Sequence, residues 1–478
     1  MLKPILAALL AAAPTAVAAA ETNAALARID ADRAANEAAA KAIWGFAEVG
    51  YQEARSSALL QKRLKDAGFD VKAGVAGAPT AFTATWSNGT GPVIGIMGEY
   101  DALPGLSQTA DPAKTIRSDV TAGHGCGHHL FGVASASAAI AVRDWMKASG
   151  TKGTIRFYGT PAEEGGAGKV YMVREGLFND VDIALHWHPA AENSADVQTT
   201  NSNKSAKFRF HGIAAHAASA PERGRSALDG VEAMNMMANM MHEHMPEKSR
   251  MHYVITAGGN APNVVPDFAE SFYYVRNPDA EVVRETFERL VKTAEGAALG
   301  TGTTVDYEVI HGALPLLPNH TLQTLVHAKL TEVGGVLYTP EETAFAQKIT
   351  PTLGLTKAKL SDAARVEPMK EDHGAGSTDV GDVSWTVPTA GFSTATWVPG
   401  TPAHSWQAVA AGGTSIGMKG MQNAAKVLAL TAIDLFQKPA LIAAAKAEFA
   451  ERRGPDFVYR SLVGDRTPPL DYRNAPGK

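Results

Sequence analysis

Apolar positions recur at helical spacing from about Ala34 to Lys65. Ile43, Trp44 and Ala47 mark one run, Leu59, Leu60 and Leu64 a second, and Gly68 stops the pattern. Two short β-like runs follow, Ala81 to Trp86 and Pro92 to Gly98, the second leading into Glu99-Tyr100-Asp101-Ala102-Leu103-Pro104-Gly105. A polar stretch from Thr109 to Thr121 reads as a loop. Beyond it the small-residue run Leu130 to Met146 predicts a helix whose alanines allow close packing on a sheet. Thr154 to Gly159 and Val181 to Leu185 read as strands, with a helix from Lys169 to Leu177 between them. Strands alternating with helices predict an α/β fold with a mainly parallel sheet, and in such sheets ligands gather beyond the carboxyl ends of the strands.

From about Lys204 to Ile310 the pattern changes to βαββαβ. Its pieces are strand Ala206 to Phe210, helix Ser226 to His244, strands His252 to Ala257 and Phe268 to Val275, helix Glu281 to Ala297, and strand Thr304 to Val309. That order predicts a ferredoxin-like (α+β) domain inserted into the larger one. The methionines of its first helix, Met234, Met236, Met237, Met240 and Met241, read as core or subunit-interface packing. Helical pattern resumes at Leu322 to Val333, Thr389 to Thr396 reads as one more strand, and a closing helix spans about Gly420 to Phe436. The expected organisation is residues 1–20 as a leader, 21–203 and 312–453 as one discontinuous domain, 204–311 as the insert, and 454–478 as a tail. The Pro- and Arg-rich tail is expected to wrap the surface or remain loose.

Composition narrows the function classes. Hydrophobic residues make up 45% and charged residues 19% of 478 positions, enough apolar material for a large core. The net charge of -5 carries no long run of one sign, so a nucleic-acid groove or an anionic membrane surface is not indicated. Lys3, the apolar run Ile5 to Ala13 and the small residues Ala18-Ala19-Ala20 read as a cleavable secretory signal, too short for a membrane span. A secreted or periplasmic location without a membrane anchor follows as an expectation. There a single cysteine, Cys126, can form no internal disulfide, which leaves burial, reactivity or metal ligation.

Cys126 lies in Gly123-His124-Gly125-Cys126-Gly127-His128-His129, a soft and a borderline ligand threaded on glycines. Three further loops carry metal-compatible side chains where strands should end: Glu163/Glu164, His186/His188 and His404. Together they are a donor set for two transition-metal ions sharing a bridging group and a water, with one of the adjacent glutamates as ligand and the other as base. Only one of His186 and His188 need be a ligand; the other packs or lines the pocket.

These motifs, with Pro161-Ala162-Glu163-Glu164-Gly165, His186-Trp187-His188-Pro189, His216-Ala217-Ala218-Ser219-Ala220-Pro221 and His404-Ser405, resemble the aminoacylase/carboxypeptidase family of dinuclear metallopeptidases. The likeness covers nearly the whole chain past the leader and is strongest to the amidohydrolase branch. Glu99 to Gly105 and Gly376-Ser377-Thr378-Asp379-Val380-Gly381-Asp382 lean toward its p-aminobenzoyl-glutamate group. The resemblance implies that Cys126, His128, Glu164, His188 and His404 bind two divalent ions, zinc or manganese, with Cys126 as bridging thiolate and Glu163 as general base. It implies that His216 stabilises the oxyanion, in relatives across a dimer, and that Asn263 and Arg276 grip a substrate carboxylate. Asp101 and His129 are implied as neighbours that orient the ligands. The branch carries an acidic or amide residue at the second of these positions, so His129 is a departure, and the choice of His128 over His129 as ligand rests on the family motif. The implied reaction is hydrolysis of an N-acyl amino acid, with a dipeptidase or general deacylase as the alternative and a non-catalytic metal- or ligand-binding protein as a less favoured one, since Glu163 and every ligand position are present. The implied assembly is a homodimer through the inserted lid, or a hetero-oligomer, as likeness to a member that is one component of a larger enzyme invites.

Overall fold

The computed structural model describes residues 24–473; the predicted leader, residues 1–20, lies outside the described residues. Helices α1 (Arg33–Phe46) and α2 (Ala54–Asp66) precede strands β1 (Asp70–Ala73), β2 (Phe82–Ser87) and β3 (Val93–Gly98). Helix α3 (His128–Ser149), strand β4 (Thr154–Gly159), helix α4 (Gly168–Arg174) and strand β5 (Ile183–Leu185) complete the first pass. The insert then contributes β6 (Ser202–His211), α5 (Ala227–Met241), β7 (Arg250–Ala257), β8 (Phe268–Asn277), α6 (Ala280–Thr301) and β9 (Thr304–Ala313). The chain returns through α7 (His320–Val333), β10 (Thr389–Ala390), α8 (Ser415–Gln437) and α9 (Pro439–Arg453).

The central sheet runs in the order β1-β2-β4-β3-β5-β10. Pairings β4/β3, β3/β5 and β5/β10 are parallel, and β1/β2 and β2/β4 are antiparallel. The mainly parallel α/β expectation holds, with an antiparallel edge. Helix α3 lies on this sheet because its small residues let it: a Cβ at Gly132 would sit 2.7 Å from the Glu99 carbonyl oxygen. Leu130, Val133 and Ala134 on α3 join Ile94, Ile96, Phe157 and Ile183 of the strands in one buried core, completed by Val427, Leu428 and Leu435 of α8.

The insert is a four-stranded antiparallel sheet in the order β7-β8-β6-β9. Phe208, Phe210, Tyr273, Phe287 and Leu290 form its separate core. Ser226 Oγ accepts from the Asp229 N–H and Asp279 Oδ1 from the Glu281 N–H, so both helices start on capping side chains. Strands β6, β8 and β9 run longer than their hydrophobic alternation predicts, because the ladder continues into polar residues such as Ser202 and Asn277. The methionine stripe divides: Met234 and Met241 are buried, whereas Met236 and Met240 are exposed beside the edge strand β7 and Met237 is exposed beside Gly296 of α6.

Two expectations are corrected. The run Thr389 to Thr396 is two strands, β10 and Ser393–Ala395, broken at Gly391. The His186 ring occupies the space a side chain would need there, leaving no room for a Cβ on Gly391. The tail is neither loose nor a mere surface wrap, because its aromatic and aliphatic residues anchor it. Phe457 stacks on Trp385 at 4.7 Å between ring centroids, Leu462 is buried with the insert's core, and Tyr459 Oη donates to Asp382 Oδ1 at 2.7 Å. Arg460 pairs with Glu281 and Arg466 with Glu308, both on the insert, while Gln52 of the main domain donates to the Leu470 carbonyl at 2.9 Å. Residues 454–473 therefore form a strap joining both domains.

Asp382 also accepts from the Leu314 N–H at 2.8 Å, where the insert's last strand re-enters the main domain. Burial drives its carboxyl from the ordinary 3.8 up to about 7, despite these hydrogen bonds. The folded chain thus keeps a proton that the unfolded chain releases near 3.8, so this group's contribution is full below that pH and lost as pH rises through about 7. Urea unfolding at pH 5 and pH 8 should show the wild type losing more stability over that interval than D382N.

Candidate metal centre

Strands β3, β4 and β5 run parallel, so their carboxyl ends open at one edge and deliver Glu99–Asp101, Pro161–Glu164 and His186–His188 to one place. The cysteine loop meets them at the start of α3. Gly127 takes a left-handed φ of 76°, and a Cβ there would lie 2.6 Å from Pro189, so the loop closes against the His188 segment only with glycine. His404 arrives last, its N–H donating to the Gly125 carbonyl at 2.9 Å. His404 and Ala162 are non-glycine residues at φ 58° and 57°, local strain held by surrounding bonds. The Ala162 N–H, for one, donates to the buried Glu53 carboxylate at 2.8 Å.

Cys126 Sγ lies 3.5 Å from His188 Nε2 and 3.5 Å from His404 Nε2. Its sulfur belongs to two trios, Cys126/His128/His188 and Cys126/Glu164/His404, whose donor atoms lie within 4.8 Å of one another. His128 Nδ1 contacts Asp101 Oδ1 at 2.8 Å and His188 Nδ1 contacts the Pro189 carbonyl at 2.8 Å. Each acceptor suits a proton on Nδ1, which would leave Nε2 available to a cation in the cleft. The other Asp101 oxygen accepts from the Glu164 N–H at 2.9 Å, so one carboxylate fixes two of the candidate ligands. Burial pushes the Asp101 carboxyl up, but His128 and these hydrogen bonds bring it down to about 2.

The charge balance fits cations. Glu99, Asp101, Glu163, Glu164 and Asp379 crowd together, and Lys169 is the one lysine paired among them, 2.7 Å from Glu99 Oε1 and 2.6 Å from Asp379 Oδ1. Glu99 Oε2, His128 Nε2 and Glu164 Oε1 are buried without a hydrogen-bond partner among the described residues. His128 Nε2 faces Glu99 Oε2 at 3.0 Å, and His404 Nε2 faces Glu164 Oε1 at 3.2 Å. Burial, and then Glu164, push the Cys126 thiol well up, so a neighbouring cation is needed to hold it as thiolate. Burial, then Glu99, Glu164 and Asp379, also raise the Glu163 carboxyl well above the usual range.

The remaining expected residues fall in three places. Arg276 on β8 is half-buried and lines the same cavity of about 560 Å³ as Cys126, Glu163, Glu164, His188 and His404. His216 and Asn263 are exposed on the insert and do not line it; they are tied to each other's segment, the Ala217 N–H donating to the Asn263 carbonyl at 3.0 Å. His216 Nδ1 accepts from the Ala218 and Ser219 N–H groups at 3.2 Å, which leaves Nε2–H as an outward donor. His129 differs from expectation. Successive helical residues diverge by about 100°, so its ring turns away from the cluster and meets the Gly412 carbonyl at 3.0 Å and the His124 ring at 4.9 Å.

Sequence reasoning passed over Lys169, Asp379 as its partner, and Glu53. One signal was present: a lysine at the start of a helix opposes the macrodipole and calls for a compensating reason.

A parallel-sheet domain that converges a cysteine sulfur common to two candidate trios, imidazoles and carboxylates beside a further glutamate has the constitution of a dinuclear metallohydrolase. The family model of peptidase family M20/M25/M40 matches residues 95–408. The chain is 43% identical over 441 residues to one of the subunits of the p-aminobenzoyl-glutamate hydrolase of Escherichia coli, covering 87% of this chain and 92% of that one. It is 30% identical over 427 residues to the Xaa-Arg dipeptidase of Mus musculus, covering 86% and 88%. Among solved structures, the aminobenzoyl-glutamate utilization protein of Klebsiella pneumoniae aligns with TM-score 0.60 at 18% identity, over 86% of this chain and 98% of that one. A dinuclear metal-binding M20 peptidase of Bacillus subtilis aligns with TM-score 0.55 at 17% identity, over 85% and 99%. The chain belongs to peptidase family M20/M25/M40 and is a metal-dependent hydrolase of amide or peptide bonds.

Replacing the buried lysine tests the charge balance. K169M leaves Glu99 and Asp379 facing each other without their cation and should cost about 3–5 kcal/mol of stability in urea unfolding.

Proposed function

We propose that this chain hydrolyses the amide bond between an aromatic acyl group and an amino acid with a free carboxylate, an N-acyl glutamate of the p-aminobenzoyl type foremost. The observation that carries the reaction is the Cys126 sulfur shared by two ligand trios with Glu163 beside them. The substrate class is supported by the 43% identity to a component of a p-aminobenzoyl-glutamate hydrolase. The likeness to an Xaa-Arg dipeptidase makes dipeptide or general N-acyl-amino-acid hydrolysis the second reading.

Cys126, His128 and His188 would hold one ion, and Cys126, Glu164 and His404 the other; thiolate with imidazole and carboxylate suits zinc or manganese. Bound there, the ions supply an acidified water and polarise the scissile carbonyl. Glu163 accepts the water's proton and returns it to the leaving nitrogen. The Arg276 guanidinium takes the substrate carboxylate, and Asn263, which lies outside this chain's own cavity, would join it from a second copy. His216 donates its Nε2–H to the oxyanion from a second copy. That copy docks through the insert, a role supported by exposed Met236 and Met240 beside Tyr253 on the edge strand β7. A hetero-oligomer is the alternative, in keeping with the Escherichia coli relative being named as one subunit of its enzyme. The N-terminal signal pattern supports export to the periplasm or beyond.

Metal-reconstituted protein should release the amino acid from p-aminobenzoyl-glutamate faster than from N-acetyl amino acids or free dipeptides. E163A should keep two metal equivalents by elemental analysis while turnover falls about 10²- to 10⁴-fold; C126A should lose metal as well. E163A with near-normal turnover would remove Glu163 from its role. M236E/M240E should be monomeric by light scattering if the insert is the dimer surface.

A further inference from the structure

At its last described residues the strap reaches the cavity of the candidate metal centre. Tyr472 Oη donates to the Glu164 carbonyl at 3.0 Å, and Arg473 donates from Nη2 to the same oxygen. The Tyr472 ring packs edge-on against Tyr51 at 5.9 Å, which fixes the last described residues against the main domain. Arg473 thereby lines the cavity on the wall formed by Glu164 and Gly165, while Arg276 lines it from the insert.

Tyr274 stands between the two guanidiniums. Arg276 lies over its ring at 5.3 Å, and both the Tyr274 hydroxyl and Arg473 Nη2 approach the space above Gly165, 3.9 and 3.7 Å from a Cβ built there. Neither arginine has a carboxylate partner within ion-pair distance among the described residues, and the Nε of each is buried without a hydrogen-bond partner. One backbone carbonyl satisfies little of a five-donor guanidinium. Two half-buried guanidiniums lining one cavity, each with a buried and unpartnered Nε, are poorly matched by a substrate with a single carboxylate, because one would stay unpaired on binding. An amino acid with two carboxylates pairs both.

We propose that Arg473, delivered by the C-terminal strap, holds the side-chain carboxylate of an acidic amino acid while Arg276 holds its α-carboxylate, so that the strap sets the preference for N-acyl glutamate or aspartate. This rests on the amidohydrolase reading above and adds to it a specificity-determining residue outside the ligand motifs. A fork of charged hydrogen bonds to a carboxylate is geometrically selective, which an ammonium reproduces only in part.

The test compares kcat/KM of the full chain for p-aminobenzoyl-glutamate and p-aminobenzoyl-glutamine, which share length and differ in charge. The wild type should favour the glutamate compound by at least about 10-fold, and R473Q should lower that ratio by about 10- to 100-fold. R473K should recover part of it. An equal loss on both substrates would mean that Arg473 only steadies the Glu164 backbone, and an unchanged ratio would mean that it is idle; either overturns the proposal. Brisk hydrolysis of neutral substrates with no glutamate preference in the wild type overturns it too and leaves the amidohydrolase reading standing. If the wild type hydrolyses neither compound, that reading fails, and calorimetric titration of p-aminobenzoyl-glutamate decides the arginine site by itself. Binding present in the wild type and lost in R473Q upholds the site; no binding, or equal binding, rejects it.

Discussion

The Cys126 sulfur lies 3.5 Å from an imidazole nitrogen on each side, and much of the surrounding structure exists to keep it there. One imidazole comes from the segment after β5 and the other from a loop more than two hundred residues further on, so the position depends on the sheet register and on the left-handed turn at Gly127. The thiol is buried among carboxylates that oppose its ionisation, a configuration that isolated protein groups do not favour. The same loops that crowd acids around it also bring imidazole nitrogens to common points. Cations would resolve both features together, and would give partners to the buried Glu99 Oε2, His128 Nε2 and Glu164 Oε1.

Beneath the cluster, Lys169 joins Glu99 and Asp379, and Asp101 joins His128 to the Glu164 backbone. These bonds link β3, the Glu163–Glu164 loop, α4 and the start of the short helix Val380–Ser384, so the site is braced from below by charge and from above by the insert and strap. The strap touches Asp382, the insert's Glu281 and Glu308, and finally the Glu164 carbonyl. Movement of the insert relative to the main domain would therefore be felt at the ligand loop and at Arg473, which ties substrate recognition to domain geometry.

Much of this was legible in the sequence because the strands announce themselves. Thr154 to Gly159 and the runs ending near Gly98 and Leu185 are short apolar segments, and Glu99–Asp101, Glu163–Glu164 and His186–His188 follow them directly, so the convergence of these groups could be expected from the order of the residues alone. What stayed hidden depends on long-range pairing. Lys169 looks like an ordinary helix residue until Asp379, 210 positions away, is beside it. His129 follows a ligand in the sequence but faces elsewhere, since helical rotation separates neighbours. The Pro- and Arg-rich composition of the tail concealed four anchors, Phe457, Tyr459, Leu462 and Tyr472, whose spacing matches no helix or strand period. Composition there described solubility and not position.

X-ray absorption at the metal edge tests the shared thiolate most directly. Loaded with two equivalents of zinc, the protein should show sulfur at roughly 2.3 Å in the first coordination sphere. A metal–metal distance of roughly 3.5–4 Å should accompany it. Nitrogen and oxygen scattering alone, or sulfur without a second ion in range, would contradict a centre built on Cys126.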